Sequence, residues 1–490
     1  MRIGLVKNRR VMVIGLDSLV PDLVFTRWRY ELPVLNGLMN RGIYGPLEST
    51  IPPITCPAWM SMVTSKDPGQ LGFYGFRNRK DHSYGGLSIA NSTAVRVPTV
   101  WDILGQHGKK VLLLGVPQTY PPKPVNGIMV TGFLTPDAES TFTYPGEFKR
   151  EVAQQVGEYL FDVRDFRTDD KSRLLEDIYR MTEKRFSLAR HMVTTKEWDF
   201  FMMVEMGPDR IHHGFWKFFD VSHPKYQAGN PYENAMKEYY VALDSKVGEL
   251  IEAAGEDVAV MVVSDHGAKR MVGGICINEW LLKEGYLGVK RIPDGPTKLE
   301  EAEIDWSKTR AWGYGGYYGR LILNVQGREP QGVVPQEKVE DLRAELKAKL
   351  EAITDEQGRP LGTKVFFPDE TYREIRNIPP DIIIYFGDLN WRSQGLLGTG
   401  SVYTYENDTG PDDANHDTLG TFILDAATGD GGRYLEGLHI TDVAPTILHL
   451  MGIEPPPGFV GKSVAKDGET VYSPEEQTRL EKRLADLGYF

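Results

Sequence analysis

The sequence is poor in cysteine and in long apolar runs. Its 490 residues include only two cysteines, Cys56 and Cys276, too few for the disulfide framework of a small secreted domain. We expect both to pack as small apolar residues. Runs of about 18 or more apolar residues, the length that a membrane-spanning helix needs, are also missing. The sequence therefore predicts neither a disulfide scaffold nor a membrane span.

Positive charge is in deficit as well. The 56 Lys and Arg residues face 68 Asp and Glu residues, which gives a formal net charge of −12. Such a chain repels polyphosphate backbones, so we expect no binding of nucleic acid duplexes, although a local basic site can still hold one phosphate. The first apolar run, at residues 11–16, spans about six residues and is too short for the apolar core of a signal peptide. We therefore expect a cytoplasmic protein. The oligomeric state leaves no signal in the sequence.

Short apolar runs alternate with longer helical patterns along the chain. This alternation is typical of strand-helix-strand units that build a mainly parallel sheet. Most of the runs are continuous, as expected for strands that are buried on both faces. The predicted strands lie at residues 11–16, 111–116, 200–206, 258–264, 381–386 and 421–426. The predicted fold class is α/β, with a central, mainly parallel sheet flanked by helices.

Residues 281–379 depart from this rhythm. The stretch 311–334 is aromatic and rich in glycine, and an amphipathic helix pattern follows it at 339–353. We interpret 281–379 as a lid or insertion, although an irregular part of the core fits equally well. The predicted core then comprises residues 1–280 and 380–490.

Asp and His residues cluster at the predicted strand ends. In open α/β sheets, ligands bind beyond the carboxyl ends of the strands. Taken singly, each residue fits a plain role, such as a turn residue for Asp17 or a helix cap for Asp265. Their joint occurrence at several strand ends favours a common site. The six residues are Asp17, Asp209, His213, Asp265, His266 and His416.

The spacing of Asp209 and His213 indicates metal binding. Residues four apart on a helix point the same way, and a mixture of Asp and His ligands suits both Zn²⁺ and Mn²⁺. This spacing favours His213 over its neighbour His212 as a ligand.

A candidate nucleophile lies in the stretch STIPPITCPAWMSMVTSKDPG, residues 49–69. A helix that begins near Pro57 leaves Thr55 on its N-terminal side, where free N–H groups favour an anion. By itself, Thr55 reads better as a helix cap. Beside a metal ion, its hydroxyl becomes a candidate nucleophile.

Together these motifs resemble the alkaline phosphatase superfamily, in its type I phosphodiesterase/nucleotide pyrophosphatase branch. The resemblance extends over nearly the whole chain, through VIGLDS, PPITCPAWMSMVTSKDPGQLG, GPDRIHHGFW, VVSDHGAKR and ANHDTLGTFILDA. It implies two divalent metal ions, Zn or Mn. It implies that one ion is held by Asp209, His213 and His416. The other would be held by Asp17, Asp265 and His266, with Thr55 bridging toward it as a nucleophile that becomes transiently phosphorylated.

The chain departs from the family pattern around the expected phosphate-binding asparagine. Phe76 stands at that position, and we expect the neighbouring Arg77 or Asn78 to bind the substrate instead. Ser65 replaces a common glycine, and the segment GREPQGVV resembles phosphohydrolase/phosphomutase relatives. Sulfatases share the fold and modify a cysteine, but their motif needs an arginine that is missing after Cys56, so a sulfatase is disfavoured.

The resemblance implies a hydrolase of small-molecule phosphate esters, with a phosphodiesterase favoured. A phosphomonoesterase or phosphomutase on the same metal ions is the nearest alternative. An alternative of another class is a catalytically inactive, metal-stabilised binding protein. The presence of all six expected ligands and of the Thr55 hydroxyl argues against it, because a binding protein has no need of the nucleophile.

Overall fold

A ten-stranded sheet runs through the part of the chain that the computed structural model describes, residues 9–426 and 431–465 together with Arg479 and Arg483. Numbered in chain order, its strands are β1 (Arg10–Leu16), β2 (Ile43–Glu48), β3 (Val111–Leu114), β4 (Gly127–Val130), β5 (Thr143–Tyr144), β6 (Phe200–Glu205), β7 (Val258–Val263), β8 (Leu419–Asp425), β9 (Arg433–Tyr434) and β10 (Leu438–His439). In space they follow the order β9-β2-β8-β7-β1-β6-β3-β4-β5, and β10 pairs with β2.

The centre of this sheet is parallel. β1 lies between β6 and β7 and runs parallel to both, and β3 runs parallel to β4 and β6. Antiparallel pairs occur toward the two sides, where β8 lies between β2 and β7 and where β5 pairs with β4. The residues of β1 after Arg10 are all buried, as expected when helices cover both faces. The prediction of a mainly parallel α/β fold is confirmed.

Helices pack against strands of the sheet and against one another. Among the described residues the α-helices are α1 (Pro33–Arg41), α2 (Thr55–Thr64), α3 (Pro68–Leu71), α4 (Val100–Gln106), α5 (Phe148–Val156), α6 (Lys171–Thr195), α7 (Gly207–Phe219), α8 (Ala235–Ala254), α9 (Ile277–Lys283), α10 (Val339–Glu351), α11 (Pro368–Thr371) and α12 (Val443–Leu450). The apolar spacing in α10 buries Leu342, Leu346 and Leu350 as predicted. None of the helices described is both long enough and apolar enough to cross a membrane.

A second apolar core lies in the later part of the chain. It contains buried residues from Ile275 to Leu397 and is separate from the core around the large sheet. Its antiparallel sheet has the order Ala311–Tyr314, Gly319–Leu323, Ile382–Tyr385 and Lys364–Phe366. The limits 281 and 379 of the predicted insertion stay a prediction.

Strand Ile382–Tyr385 belongs to this second sheet, whereas the other five predicted runs supply strands of the large sheet. An apolar run identifies a strand but carries no information on its partner strand. Tyr372 lies in the connection between two strands of this sheet, and its hydroxyl donates to the Ile51 carbonyl in the loop before α2 at 2.6 Å.

Candidate metal centre

Three neighbouring parallel strands bring the predicted ligands to one edge of the sheet. Asp17 follows β1 directly, and Asp265 and His266 follow β7 after a single serine. The helix α7 begins two residues after β6 and carries Asp209 and His213 one turn apart. Because β6, β1 and β7 are adjacent and parallel, their carboxyl ends meet.

His416 reaches the same place by a different route. It lies on the short strand Ala414–Asp417, which pairs antiparallel with Gly267–Arg270 and sets His416 opposite Ala268. The His416 ring stacks on the ring of His266, with 3.8 Å between the centroids and 17° between the planes. This ladder therefore joins a residue near the C-terminal end of the chain to the edge formed by the parallel strands.

The six predicted ligands form two groups of three. We call Asp209, His213 and His416 the first triad, and Asp17, Asp265 and His266 the second triad. Within each triad, one possible ligand atom from every residue lies within 4.8 Å of the other two. All six residues are buried.

In each triad, one atom lies within 4 Å of an atom of both other residues. In the first triad, Asp209 Oδ1 lies 3.3 Å from His213 Nε2 and 3.7 Å from His416 Nε2. In the second triad, His266 Nε2 lies 3.2 Å from Asp265 Oδ2 and 3.8 Å from Asp17 Oδ1.

The three histidines all turn Nε2 toward their triads because Nδ1 is engaged elsewhere. Nδ1 of His416 lies 2.9 Å from the Pro53 carbonyl oxygen, and Nδ1 of His266 lies 2.9 Å from that of Gly267. Nδ1 of His213 lies 2.7 Å from Asp412 Oδ1. Donation from Nδ1–H leaves a lone pair on Nε2, which is the tautomer that a metal ligand needs.

Each aspartate of the triads keeps one oxygen without a partner. Asp17 Oδ1, Asp209 Oδ1 and Asp265 Oδ2 are buried and accept no hydrogen bond from any described residue. Burying a carboxylate oxygen without a hydrogen-bond partner costs free energy, and a bound cation at these atoms would offset that cost. Two triads of buried carboxylate oxygens and Nε2 atoms suit Zn²⁺ or Mn²⁺. The residues present therefore fit a divalent ion at each triad.

The second oxygen of each aspartate is held by a donor. Trp59 Nε1 donates to Asp17 Oδ2 at 2.8 Å, and the Ser18 amide donates to Asp265 Oδ1 at 3.2 Å. The Asp209 carboxylate pairs instead with the guanidinium of Arg210.

These surroundings shift the pKa values of the aspartates of the two triads in opposite directions. Burial, followed by repulsion from nearby carboxylates, raises the pKa of Asp17 and that of Asp265 well above the usual value. Burial also opposes the charge of Asp209, but His213 and Arg210 outweigh it and hold the pKa of Asp209 well below the usual range. Burial lowers the pKa of His266 to about 4, which keeps its imidazole neutral.

Thr55 is the first residue of α2, and its hydroxyl does not cap the helix. The N-cap is Ile54, so the interpretation of Thr55 as a cap is wrong: the helix begins earlier than Pro57. Thr55 Oγ1 lies 3.5 Å from His266 Nε2, and the residue is 3% exposed. The hydroxyl therefore faces the second triad. The helix-cap alternative for Asp265 also fails, because a strand and not a helix follows it.

A cavity of about 650 Å³ opens over the centre. Thr55, Asp209 and His416 lie in its wall, as do Phe76 and Phe133, whose rings pack edge to face at 5.9 Å. The cationic residues that line it are Arg77, Arg167, Arg210, Lys298, Arg320 and Arg392.

Of the two residues expected to bind the substrate, only Arg77 reaches this cavity. Asn78 is not among the described residues that line it. Its side chain accepts from the Tyr74 amide at 2.7 Å and donates to the Gly75 carbonyl at 2.9 Å. The Asn78 amide thus closes a local turn, which is a common use of asparagine. We therefore drop Asn78 from the candidate site.

Several residues of the centre escaped the sequence analysis. Trp59 lies four residues after Thr55, and this spacing places both side chains on the same face of α2. The spacing alone could have identified Trp59 as a neighbour of the site. Arg210 directly follows Asp209. Tyr317 had no local signal, yet its ring stacks on His213 at 4.9 Å and on His416 at 4.3 Å.

His212 and Cys56 belong to neither triad. His212 Nε2 lies 2.7 Å from the Tyr240 hydroxyl and its Nδ1 lies 3.3 Å from Ser18 Oγ. Cys56 is fully buried, and burial raises the pKa of its thiol well above the usual value. It packs in the interior, as expected.

Comparison with known proteins identifies the family. A family model described as type I phosphodiesterase / nucleotide pyrophosphatase matches residues 11–412. The chain belongs to this family. The resemblance seen in the motifs is thereby confirmed, and the family is one of phosphate ester hydrolases. No curated protein matches the sequence.

Solved structures of other proteins share the fold of this chain. An inactive threonine-to-alanine variant of murine ectonucleotide pyrophosphatase / phosphodiesterase 5, in complex with AMP, is 13% identical, with a TM-score of 0.53 over 92% of this chain and 96% of that one. Phosphonoacetate hydrolase from Sinorhizobium meliloti 1021, in complex with phosphonoformate, is 15% identical, with a TM-score of 0.56 over 91% of this chain and 96% of that one. At such identities the likeness concerns the fold.

Proposed function

We propose that this family member is a two-metal phosphodiesterase that uses Thr55 as its nucleophile. The observation that supports this most is the 3.5 Å contact between Thr55 Oγ1 and His266 Nε2, in a cavity that also exposes Asp209 and His416. The substrate is a small-molecule phosphate ester, because a cavity of about 650 Å³ is of the size that small ligands occupy. A cytoplasmic location is part of the same proposal and depends on the sequence alone.

The residues of the centre prepare the reaction. Divalent ions bound at the two triads would neutralise phosphoryl oxygens and lower the pKa of a nearby hydroxyl. Trp59 and the Ser18 amide hold the carboxylates of the second triad beside Thr55. Thr55 also lies at the N-terminus of α2, where the helix dipole favours the charge of a phosphoryl group.

The proposed reaction has two steps. The oxygen of Thr55 bonds to phosphorus while the bond from phosphorus to the leaving alcohol breaks, and the threonine proton ends on the leaving oxygen. The product is a phosphothreonine that still carries the second ester group. Water then attacks the phosphorus, the bond to Thr55 breaks, and the threonine hydroxyl is restored. The murine neighbour whose threonine-to-alanine variant is inactive supports a threonine in this role.

A monoesterase or phosphomutase on the same residues is the alternative, and a phosphonate hydrolase is a further one because phosphonoacetate hydrolase shares the fold. An inactive binding protein has no use for the Thr55 hydroxyl. Activity of the metal-loaded protein on bis(p-nitrophenyl) phosphate, p-nitrophenyl phosphate and phosphonoacetate separates these possibilities, with Zn²⁺ and Mn²⁺ tested in turn.

The test of the nucleophile is Thr55→Ala. We expect kcat on the preferred ester to fall at least about a thousandfold while two metal ions per chain remain bound. Ser61→Ala is the matched control, because Ser61 Oγ lies buried on the same helix without a partner among the described residues. Full turnover by Thr55→Ala with both ions bound would refute the assignment.

A further inference from the structure

Arg392 is a buried arginine with unused hydrogen-bond donors. The residue is 6% exposed, and its Nε and Nη1 atoms are buried without a hydrogen-bond partner in the described part of the chain. Leaving charged donors unpaired in the interior costs free energy. Such a residue indicates a ligand that supplies the missing acceptors.

The position of Arg392 is fixed next to the first triad. It lies on strand Trp391–Gln394, which pairs with Gly273–Cys276 in the second core. Its guanidinium carbon lies 5.3 Å from the ring centroid of Tyr317, whose ring covers His213 and His416. Arg392 lines the large cavity above the metal centre, and a smaller cavity of about 130 Å³ on its other side.

The carboxylates near Arg392 pair with its charge but accept no hydrogen bond from Nε or Nη1. Asp408 Oδ1 lies 3.3 Å from Nη2, and Asp412 Oδ2 lies 3.7 Å from Nη1. Asp412 is already engaged, since its Oδ1 lies 2.7 Å from His213 Nδ1 and its Oδ2 lies 2.9 Å from Arg167 Nε. The Asp412 carboxylate therefore interacts with His213, Arg167 and Arg392 at once.

Other arginines of the cavity are differently placed. Arg210 donates through Nε and Nη2 to the Asp162 carboxylate at 2.7 and 2.6 Å, and through Nη1 to Asp209. Arg320 donates to the carbonyls of Arg77 and Gly315 at 2.8 and 3.3 Å. Both of these side chains support the walls of the cavity, whereas Arg392 has donors to spare.

We propose that Arg392 binds an oxyanion on the part of the substrate that does not react. The preferred substrates are then phosphate esters whose alcohol carries a second anionic group, a carboxylate or a phosphate. The planar guanidinium can pair with two oxygens of such a group, and the buried setting strengthens this pairing. This inference rests on the proposed function and specifies its substrate class.

Binding measurements on the metal-loaded Thr55→Ala protein test this inference. The ligands are three p-nitrophenyl phosphodiesters whose second ester group is 2-carboxyethyl, 2-phosphoethyl or the uncharged 2-carbamoylethyl. We expect calorimetry to give a Kd for one of the charged ligands about tenfold or more below that of the carbamoyl ligand. The better of the two charged ligands identifies the anion as carboxylate or phosphate.

The variants Arg392→Met and Arg392→Lys are compared in the same background. We expect Arg392→Met to bring the ratio of the two Kd values to about one, and Arg392→Lys to retain part of it. Arg320→Met, which removes the same charge from the same cavity, leaves the preference in place. Equal binding of charged and uncharged ligands before mutation, or a preference that survives both Arg392 substitutions, overturns the inference. Failure of the unmutated protein to hydrolyse any of the diesters counts against the proposed function instead, because the binding ratio does not depend on turnover.

Discussion

The two triads share a ligand chemistry but differ in how their charge is balanced. In the first triad, a guanidinium contacts Asp209 and the Asp412 carboxylate holds His213. The second triad has no cationic partner among the described residues. Its aspartates receive only neutral donors, the indole of Trp59 and the amide of Ser18.

This difference teaches what each site requires. Without a bound ion, the charge of Asp209 is compensated by its neighbours, whereas burial opposes the charges of Asp17 and Asp265. Burial is the main cause of the raised pKa values of the second pair, and repulsion adds to it, from Asp209 at Asp17 and from Asp17 at Asp265. We therefore expect bound metal to stabilise the fold mainly through the second triad. We expect the charge of the substrate to interact mainly with the first triad, where the cavity opens.

Among the substitutions that compare the two triads, the largest effect is expected from Asp17→Asn, with opposite signs for the metal-free and metal-loaded protein. The folded-state pKa of Asp17 is raised, so its contribution to stability is present below the usual value of about 3.9 and is lost as pH rises toward the raised value. At neutral pH the substitution should stabilise the metal-free fold by on the order of 1 kcal/mol or more. In the loaded protein it should remove the second ion and lower kcat about a hundredfold or more.

Thermal unfolding with and without a chelator, together with metal analysis, measures both signs for Asp17→Asn. The matched variant is Asp209→Asn, which should destabilise the metal-free protein because Arg210 loses its charged partner. A shift of the same sign for both variants in the metal-free protein would contradict the comparison between the triads.

The parts of the centre that sequence reasoning reaches are those tied to the parallel strands. Asp17, Asp209 and Asp265 stand just beyond apolar runs, and parallel neighbours bring such positions to one edge. His213 follows from the helical spacing. For these residues a local pattern and a general rule of sheet geometry are enough to predict that they come together.

The remaining parts depend on pairings that leave no local pattern. His416 is brought in by an antiparallel ladder with residues 267–270. Tyr317 lies between the strands Ala311–Tyr314 and Gly319–Leu323, and Arg392 lies on the strand Trp391–Gln394; the apolar periodicity does not reveal how these strands are ordered. Asn78 is not among the described residues that line the cavity, because its side chain bonds to the backbone of Tyr74 and Gly75, a local role that asparagine often has.

A smaller effect, confined to the first triad, is expected from Asp412→Asn. The substitution keeps an acceptor for His213 but removes the negative charge. Burial lowers the pKa of His213, and Asp412 is the leading contribution that raises it well above the usual value despite burial. A less basic imidazole binds metal more weakly, so affinity at the first site should fall about 10- to 100-fold while the second site keeps its affinity.

Competition with a chelator of known affinity measures the two sites after Asp412→Asn. Asp413→Asn is the control, because the Asp413 carboxylate lies 3.4 Å from Lys217 Nζ and accepts nothing from the His213 side chain. Equal weakening of both sites, or an equal effect of Asp413→Asn, would show that Asp412 acts on the fold and not on one ligand.

The smallest effect is expected from Trp59→Phe, which should weaken the second site and leave the first unchanged, the reverse of Asp412→Asn. The substitution removes the donor to Asp17 Oδ2 and keeps an aromatic side chain, although the far edge of the indole, which packs on Gly15, is lost with it. Asp17 keeps the bound ion as a partner, so loss of this one hydrogen bond should cost about 0.5–1.5 kcal/mol, and affinity at the second site should fall about 2- to 10-fold while the first site is unchanged. Trp198→Phe is the matched control, since its indole donates to the Val193 carbonyl at 3.0 Å. If Trp59→Phe weakened the first site instead, the indole would be acting through the helix and its N-terminal Thr55. In that case the neutral donors to the second triad would not explain a difference in metal binding between the two sites.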